Sequence, residues 1–172
     1  MKKAILSIAL VTGLLFSINE VQAQGRNEIG LSVGTMVNTA VNYRIGGEKF
    51  YGIAQVGFNY SEMDAAILGL GAGYSFHKEK LNINLEALFS GYLYDNFNEE
   101  MADKAFNLNL NFEWPLNDRF SFQAGPSIGL IENHSGMGFG SKGFIDPLTT
   151  MKIGGTEAGL FAGVNLGVTY KF

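Results

Sequence analysis

The chain offers few side chains of the kind that move protons or hold metals. It has two histidines and no cysteine among 172 residues, so thiol chemistry and disulfides are excluded. Glu132 precedes His134 by two positions and Ser135 follows it. An acid, an imidazole and a hydroxyl are the makings of an activated serine. Neighbours on an extended segment point to opposite faces, however. The trio therefore reads as a polar loop base and not as a catalytic set. His77 sits beside Lys78, Glu79 and Lys80, a solvated turn with no nucleophile next to it. No metal-ligand spacing, phosphate loop or Cys/His pair is present. The expectation is a protein that is not an enzyme, with no cofactor and no metal.

A second group of charges says more. Glu28, Arg44, Glu86, Glu113 and Lys171 all lie where apolar residues alternate with small or polar ones. They fall on the polar face, and an enclosed polar face needs its charges paired. If the last such stretch closes against the first, Lys171, Glu28 and Arg44 meet as a base–acid–base row. Glu86 and Glu113 have no obvious partner at their level and turn to Arg44 or to water. The cluster reads as a structural plug and not as an ion pathway.

The elements that must carry these residues are strands. From Glu157 to Phe172 every second residue is apolar, from Ala158 and Leu160 to Tyr170 and Phe172. A period of two marks a strand with two unlike faces. The same period predicts strands over 28–35, 37–45, 49–60, 65–76, 81–94, 104–114 and 119–131. Gly46-Gly47, His77–Lys80 and Pro115–Asp118 read as tight turns. The segments 95–103 and 132–156 read as long loops, the second rich in glycine. Eight strands with short turns at one end and long loops at the other make an all-β, antiparallel, eight-stranded barrel.

Alternation alone does not say which face is inside. Volume decides, because eight strands enclose room only for modest side chains. The apolar set holds more than a dozen aromatics, so it faces outward, where only hydrocarbon suits it. Tyr43, Phe50, Phe76, Trp114, Phe120, Tyr170 and Phe172 then gather at the short-turn end as an aromatic girdle. The first residues fit this setting. Lys2 and Lys3, the apolar run 4–18 and Val21-Gln22-Ala23 predict a secretory signal peptide over 1–23, with the barrel domain spanning 24–172. Without Lys2, Lys3 and Glu20, the chain's 12 basic and 16 acidic residues become ten and fifteen, a net charge of −5. No basic stripe is left for nucleic acid.

Several of these residues together resemble the small outer-membrane β-barrel proteins of Gram-negative bacteria, the porin-like family that includes outer-membrane protein X. They are the leader, the W-P-L-N-D-R-F-S-F run at Trp114–Phe122, the G-P-S-I-G run at Gly125–Gly129 and the terminal Tyr170-Lys171-Phe172. The resemblance implies an outer-membrane location with lipids and lipopolysaccharide around the barrel. It also implies that Tyr170 and Phe172 form the signal read by the barrel assembly machinery. It transfers fold and place better than activity. The function expected is structural or surface-interacting, with a side-chain-filled lumen. The lumen-facing glycines keep a narrow channel open as an alternative, and a lipid A-modifying enzyme is a third. An extracellular partner is expected, if anywhere, at the loop 132–156, whose strands could rise as a hairpin with an open edge.

Overall fold

The computed structural model describes residues 25–34, 39–59, 65–78, 80–94, 103–133, 147–153 and 155–172. Among them there is no helix. The strands are β1 (Arg26–Gly34), β2 (Thr39–Gly46), β3 (Phe50–Asn59), β4 (Ala65–Lys78), β5 (Leu81–Tyr94), β6 (Asp103–Pro115), β7 (Phe120–Asn133), β8 (Thr149–Ile153) and β9 (Thr156–Lys171). All except β8 form one closed antiparallel barrel of eight strands, in the order β1 to β7 and then β9. It shuts where β9 lies against β1, from Glu28 opposite Lys171 to Gly34 opposite Asn165. The Phe172 amide adds a 3.1 Å bond to the Asn27 carbonyl across that seam.

Local chemistry explains the turns. At the β2–β3 turn the Gly47 amide donates to the Phe50 carbonyl at 2.8 Å. Gly46 enters that turn at a φ of 149°, and a Cβ there would sit 2.7 Å from the Phe50 carbonyl oxygen; only glycine suits such a backbone. At the β6–β7 turn the Asn117 side-chain oxygen accepts from the amides of Arg119 (2.9 Å) and Phe120 (2.8 Å), the local bonding that makes asparagine a turn former. The β2–β3, β4–β5 and β6–β7 turns share one end, here the short-turn end. The other connections lie at the long-loop end.

The structure departs from the sequence reading in two places. The segment 132–156 is not one loop. It holds the last residues of β7, the strand β8, and a turn in which Gly155 takes a φ of 91°. Among the described residues β8 pairs with β9 alone, from Thr149 opposite Leu160 to Ile153 opposite Thr156. It uses the same edge of β9 that β1 occupies lower down, so it stands above β1, and its far edge has no partner among the described residues. Every residue of β8 is exposed. β1 also starts two residues earlier than its apolar period suggests, and those two residues matter below.

The two faces separate as the period demands. Leu31, Leu70, Phe50, Phe89, Leu85 and Val164 are among the many large apolar side chains exposed on the outer wall. The inner wall holds Asn, Gln, Ser, Gly and the charges, but also Tyr51, Ile53, Ile67, Leu88, Tyr92, Ile131 and Phe161, all buried. Bulk inside is matched by glycine on the neighbouring strand. Gly129 lies opposite Phe161 and Gly159 opposite Ile131.

Candidate functional site

Among the described residues, the lumen near the short-turn end holds five buried charged side chains: Arg26, Glu28, Arg44, Glu86 and Glu113. Strand parity delivers them. Arg26 and Glu28 are two apart on β1 and so share the inner face. Arg44 lies opposite Glu28 on β2.

Arg26 is the hub. Its Nε donates to Glu28 Oε2 at 2.8 Å, its Nη1 to Asn84 Oδ1 at 3.1 Å, and its Nη2 to Glu113 Oε2. Its guanidinium carbon lies 4.3 Å from the centre of the Tyr51 ring. A planar fork with five donors can hold two carboxylates and still stack on an aromatic face, which an ammonium cannot do. Arg44 serves the other acid. Its Nη2 is 2.8 Å from Glu86 Oε1 and donates to Gln123 Oε1 at 2.7 Å. It also lies 3.9 Å from Glu28 through Nη1. The remaining carboxylate lone pairs are taken by neutral donors. Tyr51 Oη and Asn111 Nδ2 each reach Glu86 at 2.9 Å, and Asn84 Nδ2 reaches Glu113 at 2.6 Å. Such bonds to ionised groups are the strong ones.

Four of the five charges named from the sequence, Glu28, Arg44, Glu86 and Glu113, come together here. Lys171 does not join them. It lies opposite Glu28 in the β1–β9 register, but it is exposed and makes no ion pair among the described residues. Arg26 occupies the role expected of it. Arg26 starts its strand, two residues nearer the mouth than the level of Lys171, yet its side chain is buried against Glu28, Glu113 and Tyr51, whereas the Lys171 side chain is exposed. Arg26 and Tyr51 were both missed, although each lies on the inner parity of its strand. Among the girdle residues, Phe50, Phe76, Trp114, Phe120 and Phe172 are exposed at the short-turn end, and Tyr43 and Tyr170 are half-buried. Tyr43 donates to Asn27 Oδ1 at 2.7 Å. Ring contacts link Phe50, Tyr74 and Phe76, and separately Phe120, Tyr170 and Phe172, at 4.6–5.2 Å between centroids.

The candidate for serine chemistry is not assembled within view. His134 and Ser135 lie outside the described residues, and Glu132 is half-buried at the end of β7. His77 is exposed. Its ring lies 2.8 Å from Asn82 Oδ1 and 3.1 Å from the Glu48 carbonyl, tying two short turns together. No three His, Cys, Asp or Glu side chains gather as metal ligands do among the described residues.

The lumen is layered along its axis. At the short-turn mouth a cavity of about 1040 Å³ is lined by Arg26, Glu28, Glu113, Arg119, Thr169 and Lys171, among others. The ionic layer forms its floor. Beyond it lies a polar layer around a cavity of about 30 Å³, lined by Asn42, Gln55, Asn107, Asn109, Asn111 and Asn165 with Arg44 and Glu86. Beyond that comes an apolar layer of Ile67, Tyr92, Ala105, Ile131 and Phe161.

One glycine tests the ionic layer. A Cβ on Gly73 would stand 2.3 Å from Tyr51 Cζ and 2.6 Å from its hydroxyl oxygen. The Tyr51 ring lies flat against that bare backbone. Gly73→Ala must push the ring away, costing it the Glu86 bond and the stack under Arg26. Overpacking of this kind costs about 1–3 kcal/mol. The expected result is a lower urea midpoint for the folded barrel in detergent, followed by the fluorescence of the sole tryptophan, Trp114. An unchanged midpoint counts against the placement of Tyr51.

No protein-family model, curated protein or solved structure matches the chain. The functional reading therefore rests on the geometry.

Proposed function

We propose that the chain is an integral outer-membrane barrel of a Gram-negative bacterium, exported by the leader at 1–23, with a structural or surface-interaction role and no enzymatic activity. The short turns face the periplasm, and the long connections face outward. The observation that carries this reading is the outer wall. Leu70 and Phe50 each keep 71% of their surface exposed, and they belong to a belt of exposed aliphatic and aromatic side chains on every barrel strand. Soluble proteins rarely expose apolar patches beyond a few hundred Å², whereas hydrocarbon takes such a wall without penalty and demands a closed sheet inside it. The clustered aromatics at one end suit a lipid–water interface. The inward bulk of Tyr51, Leu88, Tyr92 and Phe161 supports a filled lumen over a narrow open channel.

Lipids and lipopolysaccharide are then the immediate surroundings. Tyr170 and Phe172, at the short-turn end of the closing strand, are the residues to be read by the assembly machinery. A protein partner would use the long-loop end. There β8 presents an edge with no partner among the described residues and with Met151 and Ile153 exposed, a template for a strand from another chain.

The test is fractionation of the expressed protein. The expected result is a heat-modifiable band in the outer-membrane fraction, cut by external protease only in segments of the long-loop end. A mature chain that is monomeric and soluble without detergent would overturn the reading. Capture of a surface partner that is lost when 134–153 are deleted would support the interaction role.

A further inference from the structure

The lumen has two barriers in series, one ionic and one apolar, and they differ in how they treat water. The ionic layer has space on both sides, the 1040 Å³ mouth and the 30 Å³ polar cavity. Four side chains that line the small cavity carry buried polar atoms with no hydrogen-bond partner among the described residues: Arg44 Nε and Nη1, Gln55 Oε1, Asn107 Oδ1 and Asn111 Oδ1. The set mixes donors with acceptors. Water can serve both, and a void of that size has room for about one or two molecules. A layer of five charges flanked by hydrated groups does not dry out.

The apolar layer is different. Ile67, Tyr92 and Ile131 are 0% exposed, and Ala105 and Phe161 are 1% exposed. They belong to five consecutive barrel strands, β4, β5, β6, β7 and β9. Register places Ile67 opposite Tyr92 and Ala105 opposite Ile131. With Gly159 opposite Ile131 and Gly129 opposite Phe161, the large side chains can lie across the bore. An ion finds no more than the Tyr92 hydroxyl among these side chains to replace its water, and apolar constrictions close pores by expelling water.

We propose that the apolar layer, and not the ionic layer, seals the lumen, and that a lumen opened at this layer passes cations. This rests on the membrane reading above. The selectivity follows from charge. The ionic layer carries two arginines against three glutamates, one net negative charge that a permeating ion must pass.

The test uses the mature protein refolded into planar bilayers, with insertion checked by heat-modifiable migration. Wild type should show no unitary steps. Ile131→Ser/Phe161→Ser, which puts small polar groups in the seal, should show them. Its reversal potential should favour K⁺ over Cl⁻ by at least roughly fivefold, the factor that one elementary charge about 4 Å away gives even at water's dielectric constant. Arg44→Met/Glu86→Met removes the central ion pair and leaves the seal, so it should stay silent. A second readout uses the absence of native cysteine. Asn107→Cys should resist a membrane-impermeant thiol reagent added from the long-loop side, and should react when Phe161→Ala is added. That pair also decides the question if the serine variant does not insert. An inserted serine variant that is silent, or an Arg44/Glu86 variant that conducts, overturns the proposal and leaves the membrane reading standing. Failure of wild type to insert overturns both.

Discussion

Arg26→Met should be among the most damaging single changes in the lumen, lowering the stability of the folded barrel by about 3–5 kcal/mol. The methionine fills much of the same space, so packing is largely kept. What goes is the fork that holds Glu28 and Glu113 at once, with Asn84 and the Tyr51 ring. Glu113 then keeps only neutral donors, and Glu28 keeps only Arg44 at 3.9 Å. Removing one partner of a buried ion pair is costly because the charge left behind stays enclosed by protein on most sides and regains only part of its hydration from the mouth. With a urea slope of about 2 kcal/mol per molar, the midpoint should fall by roughly 2 M. Two further variants separate charge from shape. Arg26→Lys should recover only part of the loss, because an ammonium is a point charge and cannot span both acids. Arg26→Met/Glu28→Gln/Glu113→Gln should recover most of it, because it leaves no carboxylate orphaned. A single methionine variant as stable as wild type would show that the network is not what holds this end of the lumen together. A triple variant no better than the single would show that the loss is packing.

Arg44→Met should follow the same logic with a smaller effect. It orphans chiefly Glu86, which retains Tyr51 and Asn111 as donors.

Much of this architecture is legible without coordinates, and the reasons are physical. A barrel wall between two unlike media forces every strand to alternate, so a period of two repeated over eight segments reads as a fold. Closure follows from topology, which brings Glu28 opposite Lys171 and Arg44. What escapes the reading is side-chain reach. Register gives the position of a Cα, and Lys171 lies level with Glu28 yet turns to solvent. Arg26 was lost because no apolar neighbour marks the strand start, although extending the period back two residues from Glu28 would have found it.

The volume argument sent the apolar set outward, where its members lie. It also led to an expectation of a mostly small and polar interior. Tyr51, Tyr92 and Phe161 are on the inner parity, and Tyr51 and Phe161 fit because glycines give way to them. Tyr51 rests on Gly73, and Phe161 faces Gly129. At Gly73 and Gly129, two of the interior glycines that leave room for a channel, that room is taken by a neighbour's ring. β8 escaped because its five residues TTMKI are too few to show a period, and because its exposure on both faces removes the contrast.

A second large effect is expected where two backbones touch. Gly125→Ala should prevent the barrel from closing. An ideal Cβ on Gly125 would lie 1.8 Å from the Leu110 carbonyl oxygen, 2.8 Å from its carbon and 2.9 Å from Asn111 Cα. These are main-chain atoms of β6 and cannot rotate aside as a side chain would. β6 and β7 would have to part along this seam. The ladder is already thin there. It is paired at Asn109–Ser127 and at Phe112–Ala124, while Pro126, between those points, has no amide hydrogen to give. On the membrane reading proposed above, parting the strands exposes unpaired backbone groups inside a wall that has no water to satisfy them. The loss should exceed the roughly 1–3 kcal/mol of ordinary overpacking, more than about a hundredfold in the folding equilibrium at the upper figure, and the heat-modifiable fraction should fall with it. Gly91 supplies the control. It is also a barrel glycine, on β5, but a Cβ there meets nothing within 4 Å. Gly91→Ala restricts the unfolded chain without a clash, so it should leave the folded fraction unchanged or raise it by up to about 1 kcal/mol. If Gly125→Ala folds as well as Gly91→Ala, the two strands do not approach as closely as the structure has them.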